Sequence, residues 1–435
     1  MLAAVVVDGQ TSEQALSRFP SDPLTRDMFY GAMRHYFTLT QEVEAALSKP
    51  LRQKDQKIHC LLIVGAYQLR HTRIPDHAAI HATVEACKAL KRTSLSGLVN
   101  AVLRTLQRRK GQTERSFAYS SADEFPEWMT RRIRRDYPGR ADAVLEASLQ
   151  RAPLTLRINQ RRSTTEDYRA LLDAHDIAYS PAFRDEYLVL DHPIVTGALP
   201  GFDAGLVAIQ DAGAGFGVDL LACQPGARVL DACAAPGGKL FHLLECRPDV
   251  QVVAVEKSPT RMRHLNAEAR RLGHAPITHV GDATGLDWWD GTPFDAVLLD
   301  APCSGSGTLR RHPDIKILRT AATLEGYVRL QAALLTNLWR TLRPGGSLLY
   351  CTCSLFAEEN DAVVADFLAA TGDAEVQNIE MPTGIAREFG WQLLPTDSKT
   401  DGFYFSVLNK GVLLHSEASP KKDALLKSNR TRPPT

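Results

Sequence analysis

The 435-residue sequence has no apolar run long enough to cross a membrane. Its longest such stretches, residues 60–67 for example, fall far short of the roughly 18 residues a spanning helix needs. Charge of one sign is lacking too. Lys and Arg number 51 and Asp and Glu 50, so the net charge is +1. Bulk electrostatics gives no signal for nucleic acid, and any basic surface must be local. None of the eight cysteines, at 60, 87, 223, 233, 246, 303, 351 and 353, has C-x-x-C spacing. That excludes the common zinc and thioredoxin-like motifs, and no metal site is expected. A chain this long needs no disulfide framework. Cys60, Cys87, Cys223 and Cys246 read as small buried hydrophobes. Residues 1–7 are apolar but lack the basic flank and cleavage pattern of a signal peptide. The expectation is a soluble, cytoplasmic protein.

What is present is ordinary globular composition, 44% hydrophobic and 23% charged. This argues against a mostly disordered chain, a collagen-like repeat or a coiled coil. The length suggests two or three domains. Up to about Arg109 apolar residues recur at three- and four-residue steps, as in 56–70 and 78–90, with Pro75 and Asp76 between. This region, residues 1–123, reads as an all-α bundle. Residues 104–162 carry 14 basic against 7 acidic side chains, including Arg131-Arg132-Ile-Arg134-Arg135. Such a run is either a solvated helix face with a linker or a phosphate-contacting surface. Residues 124–205 read as a small α+β module, with strands at 154–158 and 187–190 and a helix around 168–172. From 206 to 412 short apolar runs alternate with helical stretches: 228–233, 252–256, 277–280, 296–300 and 347–353, with a last strand at 402–408. That punctuation predicts an α/β domain with a mostly parallel, doubly wound sheet. The tail, 413–435, reads as disordered.

Open parallel sheets bind ligands at the carboxyl ends of their strands. The residues that follow each run here are Asp231-Ala-Cys-Ala-Ala-Pro-Gly-Gly-Lys239, Glu256, Gly281-Asp282, Asp300-Ala-Pro-Cys303 and Thr352-Cys353-Ser354. Small residues, carboxylates and two thiols thus converge on one edge. The Pro-Gly-Gly turn lets backbone approach a ligand where a Cβ would clash. It is neither a Walker A loop nor G-x-G-x-x-G. Glu256, 25 residues after Asp231, suits ribose hydroxyls, or else caps a helix. A ligand with a ribose and a compact charged end, but no phosphate loop, fits S-adenosyl-L-methionine better than NAD or ATP. Asp282 suits the adenine amino group, or else forms a turn. Asp300 beside a thiol is a poor core element, because burying an unpaired carboxylate costs several kcal/mol.

Alternation puts Cys351 and Cys353 on one face of the last parallel strand, with Cys353 farther out. Cys353 is the better candidate for ligand contact and Cys351 for packing. Carbon 5 of cytosine is a poor nucleophile. A thiolate adding to carbon 6 makes it enamine-like, able to attack a methyl sulfonium. A carboxylic acid near N3 and the exocyclic amine would stabilise the developing charge. The proton on carbon 5 must then leave, which wants a second acid–base group. Simple N- or O-methylation needs no thiol, and the Asp/Asn-Pro-Pro-Tyr/Phe pattern of amino methyltransferases is absent. The base must be single-stranded or flipped out.

These motifs, together with Val253-Ala-Val-Glu256, Leu299-Asp-Ala-Pro-Cys-Ser-Gly-Ser-Gly307, Tyr350-Cys-Thr-Cys-Ser354, Glu358-Glu-Asn360 and Asp401-Gly-Phe403, resemble the RNA cytosine-C5 methyltransferases of the bacterial Sun (Fmu, RsmB) family. Ile74-Pro-Asp-His-Ala78 and Gly97-Leu-Val-Asn-Ala-Val-Leu103 resemble the RNA-binding antitermination factor NusB, which that family carries at its N-terminus. The first helix of this part reads as short, as if its start were incomplete. The resemblance implies that Cys233, Ala234, Ala235, Pro236, Gly237, Gly238, Lys239, Glu256, Asp282 and Asp300 line the S-adenosyl-L-methionine site. It implies Cys353 as nucleophile and Cys303 as the thiol that assists release of methylated RNA. In DNA enzymes of related chemistry the Pro-Cys thiol, here Cys303, is the nucleophile; the full RNA-type pattern selects Cys353. Glu256 stands where many members have Asp, and Ser306 where Thr is common; both keep the hydrogen-bonding group. The implied substrate is small-subunit rRNA, naked or in an early assembly particle, and the implied state a monomer. A cofactor-sensing RNA-binding regulator, or an enzyme acting on tRNA or DNA, are the competing readings.

Overall fold

The computed structural model describes residues 1–19, 22–110, 119–397 and 400–411. The tail expected to be disordered lies outside the described residues, as do positions 111–118 of the basic run.

The N-terminal part is helical. Helices Leu2–Val6, Ser12–Arg18, Pro23–Arg34, Tyr36–Ala46, Asp76–Ala89 and Ser96–Arg109 surround Gln56–His71. That central helix buries Ile58, Leu62, Ile63, Ala66 and Leu69 because its apolar residues recur at helical spacing. Asp76 opens the following helix instead of lying between the two; Pro75 is its N-cap, where the missing N–H costs nothing.

The central module holds four antiparallel strands, β1 (Leu154–Ile158), β2 (Tyr179–Pro181), β3 (Tyr187–Leu190) and β4 (Val207–Ile209), in the order β2-β3-β1-β4. Strand β4 pairs with β1, so this sheet reaches past residue 205. Ahead of it, helices Glu127–Asp136 and Ala141–Leu149 bury Met129, Ile133, Val144 and Leu145 against Leu355, Phe356 and Leu394 of the C-terminal part. The arginine-rich helix is therefore docked along one face.

The second sheet contains β5 (Arg228–Asp231), β6 (Gln251–Glu256), β7 (Ile277–Val280), β8 (Phe294–Asp300), β9 (Leu342–Thr352), β10 (Ala374–Gln377), β11 (Ile385–Ala386), β12 (Trp391–Leu393) and β13 (Phe403–Lys410). Its order is β11-β12-β13-β9-β8-β5-β6-β7, with β10 on β13. Strands β9, β8, β5, β6 and β7 run parallel. The four C-terminal strands are antiparallel additions on one side. Val, Leu and Ile dominate the parallel strands because both sheet faces are covered by helices. Ser258 caps the helix Pro259–Leu272, with Pro259 at its first position and Gly273 left-handed at its end. No described helix is long and apolar enough to cross a membrane.

Candidate active site

At the carboxyl edge of β5, β6 and β7 lies a cavity of about 290 Å³. Cys233, Glu256 and Asp282 line it, with Val255, Ala283, Pro302, Leu330 and Leu334 as an apolar wall. Glu256 is buried; its Oε1 accepts from Ser258 N–H at 2.8 Å and its Oε2 lies 3.1 Å from Arg261 Nη1. Each oxygen keeps a lone pair for a further donor. Asp282 accepts from Lys257 Nζ at 2.6 Å, Thr284 N–H at 3.0 Å and Thr284 Oγ1 at 2.7 Å. These partners, Lys257 first, hold its carboxyl down at about 2. An apolar slot between two carboxylates suits a nucleoside: a flat base in the slot, and acceptors for a diol and an amine.

The glycine turn follows Ala232 and Cys233 of the cavity wall, while residues 234–239 lie outside the lining itself. Gly237 has φ +106°, a left-handed conformation, and a Cβ there would collide with the Phe241 ring. Ala234 and Ala235 are buried, Ala234 N–H donates to Val255 O at 3.0 Å, and Arg261 Nη2 donates to the Ala235 carbonyl. Pro236 and Gly237 lead into the helix Gly238–Cys246, so the second glycine of the turn is already its first residue. The carbonyl of Gly238 accepts from Arg157 Nη1 at 2.8 Å. Arg157 is fully buried in β1, and its Nε and Nη2 bond both oxygens of Glu245 at 2.9 and 2.7 Å. The central module thus grips the back of the glycine turn.

Lys239 is buried, and its Nζ lies 2.6 Å from Asp300 Oδ2. Burial opposes its charge, but the Asp300 carboxylate outweighs that and holds the ammonium firmly protonated. Asp300 Oδ1 sits 3.6 Å from Cys351 Sγ, and burial pushes that thiol far up, consistent with a packing role. Burial, with Asp300 nearby, also lifts Asp231 to about 8. Asp231 Oδ1 is buried without a hydrogen-bond partner, which is rare for such an atom and fits an edge built to receive a polar ligand.

The two thiols meet beside this pair. Cys303 Sγ lies 3.4 Å from Cys353 Sγ, and both residues are partly exposed. The hydrogen bond with Cys353, then burial, push the Cys303 thiol well above its ordinary range. Their loops are tied together by main chain. Gly307 N–H donates to Cys353 O at 2.8 Å, and Gly402 N–H to Gly307 O at 2.9 Å. A Cβ on Gly307 would strike the Gly402 carbonyl, so the crossing needs glycine. Beneath the thiols, Ser304, Ser306 and Ser354 share hydroxyl contacts, and Ser304 and Ser354 both donate to Glu359.

The structure therefore assembles Cys233, Glu256 and Asp282 around the cavity, and Lys239, Asp300, Cys303 and Cys353 beside it. Several polar groups carried no assigned role at the level of sequence. Glu359 and Asp401 stood only inside quoted motifs. Arg157, Asp211 and Arg310 carried no signal of their roles; they are found through long-range partners 53 to 190 residues away, such as Arg310 Nε with Asp401 Oδ1 at 2.5 Å. The segment after Cys303 also reaches the N-terminal helices: Ser12 Oγ donates to Asp314 Oδ1 at 2.7 Å, and Lys316 Nζ to the carbonyls of Arg34 and Glu124, each at 2.6 Å. Each arginine of the 131–135 cluster has a carboxylate partner: Arg131 with Glu127, Arg132 with Glu358, Arg134 with Asp142 and Arg135 with Asp136 and Glu358. Among the described residues no group of three or more His, Cys, Asp or Glu side chains is placed to hold a metal.

Comparison with known proteins matches three stretches of the chain. Residues 218–409 match the model of the 16S rRNA methyltransferase RsmB/F family, residues 3–108 that of the NusB family, and residues 125–196 that of an RsmF/B-like ferredoxin-like domain. The ribosomal RNA small subunit methyltransferase B of Shewanella oneidensis is 40% identical over 392 residues, 89% of this chain and 90% of that one. Its counterpart from Vibrio cholerae is 40% identical over 391 residues, 89% of each. Among solved structures, PH0851 superposes with a TM-score of 0.81 at 20% identity, over 94% of this chain and 97% of that one, a likeness of fold. A methyltransferase homologue from Pyrococcus horikoshii gives a TM-score of 0.58 at 27% identity, over 66% of this chain and 95% of that one. With a relative 40% identical over 89% of its length, the chain belongs to the RsmB/F family of 16S rRNA methyltransferases, S-adenosyl-L-methionine-dependent enzymes that modify ribosomal RNA.

Proposed function

We propose that the protein methylates carbon 5 of a cytosine in small-subunit rRNA, and that it does so through a covalent bond between Cys353 and carbon 6 of the base. The observation that carries this reading is the 3.4 Å approach of Cys303 and Cys353 beside the Lys239–Asp300 pair. Two thiols at one sheet edge have no use in methylating a nitrogen or an oxygen. They suit a base whose carbon must first be activated.

Cys353 is the nucleophile in this reading. Its thiolate adds to carbon 6, and the double bond shifts so that carbon 5 becomes electron-rich. Asp300 accepts from the exocyclic amine, and the Lys239 ammonium bonded to its other oxygen offsets the negative charge that develops at N3. S-adenosyl-L-methionine, held by the turn from Cys233 to Lys239, by Glu256 and by Asp282, supplies the methyl group as a sulfonium electrophile. Solvent water takes the carbon 5 proton, and the electron pair of that bond restores the double bond and expels Cys353 as thiolate. Cys303, protonated and hydrogen-bonded to Cys353, returns a proton to the departing thiolate.

The test is nucleoside mass spectrometry on unmodified small-subunit rRNA, free and in assembly particles, incubated with the protein and S-adenosyl-L-methionine. New 5-methylcytidine, lost in Cys353→Ala, is the expected result. Methylation at another atom, or 5-methylcytidine made by Cys353→Ala, overturns the reading.

A further inference from the structure

Glu359 is fully buried, and among the described residues no cation is one of its hydrogen-bond donors. Its Oε1 accepts the Ser304 backbone N–H at 2.7 Å and Gln331 Nε2 at 3.1 Å. Its Oε2 accepts the hydroxyls of Ser304, at 2.5 Å, and Ser354. Ser304 directly follows Cys303, and Ser354 directly follows Cys353. One carboxyl thus holds the residue next to each thiol. Its own backbone is fixed as well, since Tyr350 O–H donates to the Glu359 carbonyl at 2.6 Å. Burying a carboxyl costs several kcal/mol unless its lone pairs are satisfied. Four neutral donors meet that demand only while both loops keep their present spacing.

We propose that Glu359 is a positioning residue that sets the distance between Cys303 and Cys353 by bonding the serine beside each. A spacing error of about 1 Å at reacting atoms can cost on the order of 100-fold in rate. The brace acts through Ser304 and Ser354 and touches neither base nor cofactor. The proposal rests on the two-thiol reading for its catalytic consequence, but the spacing itself can be measured without catalysis.

The experiment uses the full chain with Glu359→Ala and Glu359→Gln. Dibromobimane, which links two adjacent thiols, is followed by peptide mass spectrometry for the Cys303–Cys353 product. Glu359→Ala should lose most of that cross-link and lower kcat about 100-fold, with KM for S-adenosyl-L-methionine unchanged. Glu359→Gln keeps an acceptor for Ser304 N–H, and its amide can donate to the re-oriented serine hydroxyls; it should restore most of both signals. Wild-type cross-linking and kcat in Glu359→Ala overturn the proposal. So does a Glu359→Gln variant as impaired as Glu359→Ala, which would mark the carboxyl as a proton-transfer group. If Glu359→Ala fails to fold, Ser354→Ala severs only the Cys353 arm and should still lower the cross-link; an unchanged yield overturns the brace. Failure of the two-thiol reading shows separately, as methylation by Cys353→Ala while the Glu359 variants still change the cross-link yield as expected.

Discussion

Cys303 Sγ and Cys353 Sγ approach to 3.4 Å although 50 residues separate them, because β8 and β9 run parallel and adjacent and end at the same edge. The pair makes a directional prediction. Cys303→Ala should accumulate a protein–RNA adduct that survives a denaturing gel, because the bond to carbon 6 still forms but is not resolved. Cys353→Ala should form none. The reverse pattern would exchange the two roles.

Glu256 offers carboxylate oxygens to the cavity from the end of β6. Hydrogen bonds to a charged group are worth about 1.5–3 kcal/mol. Glu256→Ala should therefore weaken S-adenosyl-L-methionine binding by about 10- to 100-fold in titration calorimetry. Asp282→Asn keeps an acceptor oxygen and should weaken it less. Unchanged affinity in Glu256→Ala would remove that residue from the ribose position.

Arg157 and Glu245 form an ion pair with almost no solvent contact. Removing one partner strands the other charge, at a cost of about 3–5 kcal/mol. Arg157→Ala should show that loss in urea unfolding. It should also weaken cofactor binding, since the Gly238 carbonyl loses its donor. The double change Arg157→Met, Glu245→Leu should recover much of the stability but not the cofactor affinity.

Lys316 is buried between the carbonyls of Arg34 and Glu124 and over the Phe37 and Phe125 rings, with the Glu124 carboxylate and the Arg34 guanidinium nearby. Burial pulls its ammonium down to about 7. An unfolded lysine titrates at about 10.4. Between these values the unfolded chain binds a proton that the folded chain lacks, so this group makes stability rise with pH. The advantage of Lys316→Met over the native chain in urea unfolding should be largest near pH 7 and shrink toward pH 10. A gap independent of pH would mean that Lys316 stays charged in the fold.

Much of the fold was legible because its signals are local. The strands expected at 154–158, 187–190 and 277–280 stand at β1, β3 and β7 with the same bounds, since each is a short apolar or β-branched run between turn residues. The helix expected around 168–172 covers Thr165–Asp173. The antiparallel strands β10, β11 and β12 gave little signal. They are two to four residues long and acquire their conformation by pairing with β13 or with each other. The basic run divided in the same way. Its sequence marked local charge, but the structure gives Arg131, Arg132, Arg134 and Arg135 carboxylate partners, two of them reaching Glu358 from more than 200 residues away.

By itself the sequence determined which chemical groups stand at the strand ends: the glycine turn, Glu256, Asp282, Asp300 and the two thiols. A strand's carboxyl end is a local feature, and the residues there are read directly. Only the tertiary structure decided which of those groups touch. It set Lys239 on Asp300, Cys303 on Cys353, and Glu359 under both thiol loops. Such contacts depend on strand order and on buried carboxylates and arginines finding every partner they need. Those demands are met across the fold, where no local sequence pattern records them.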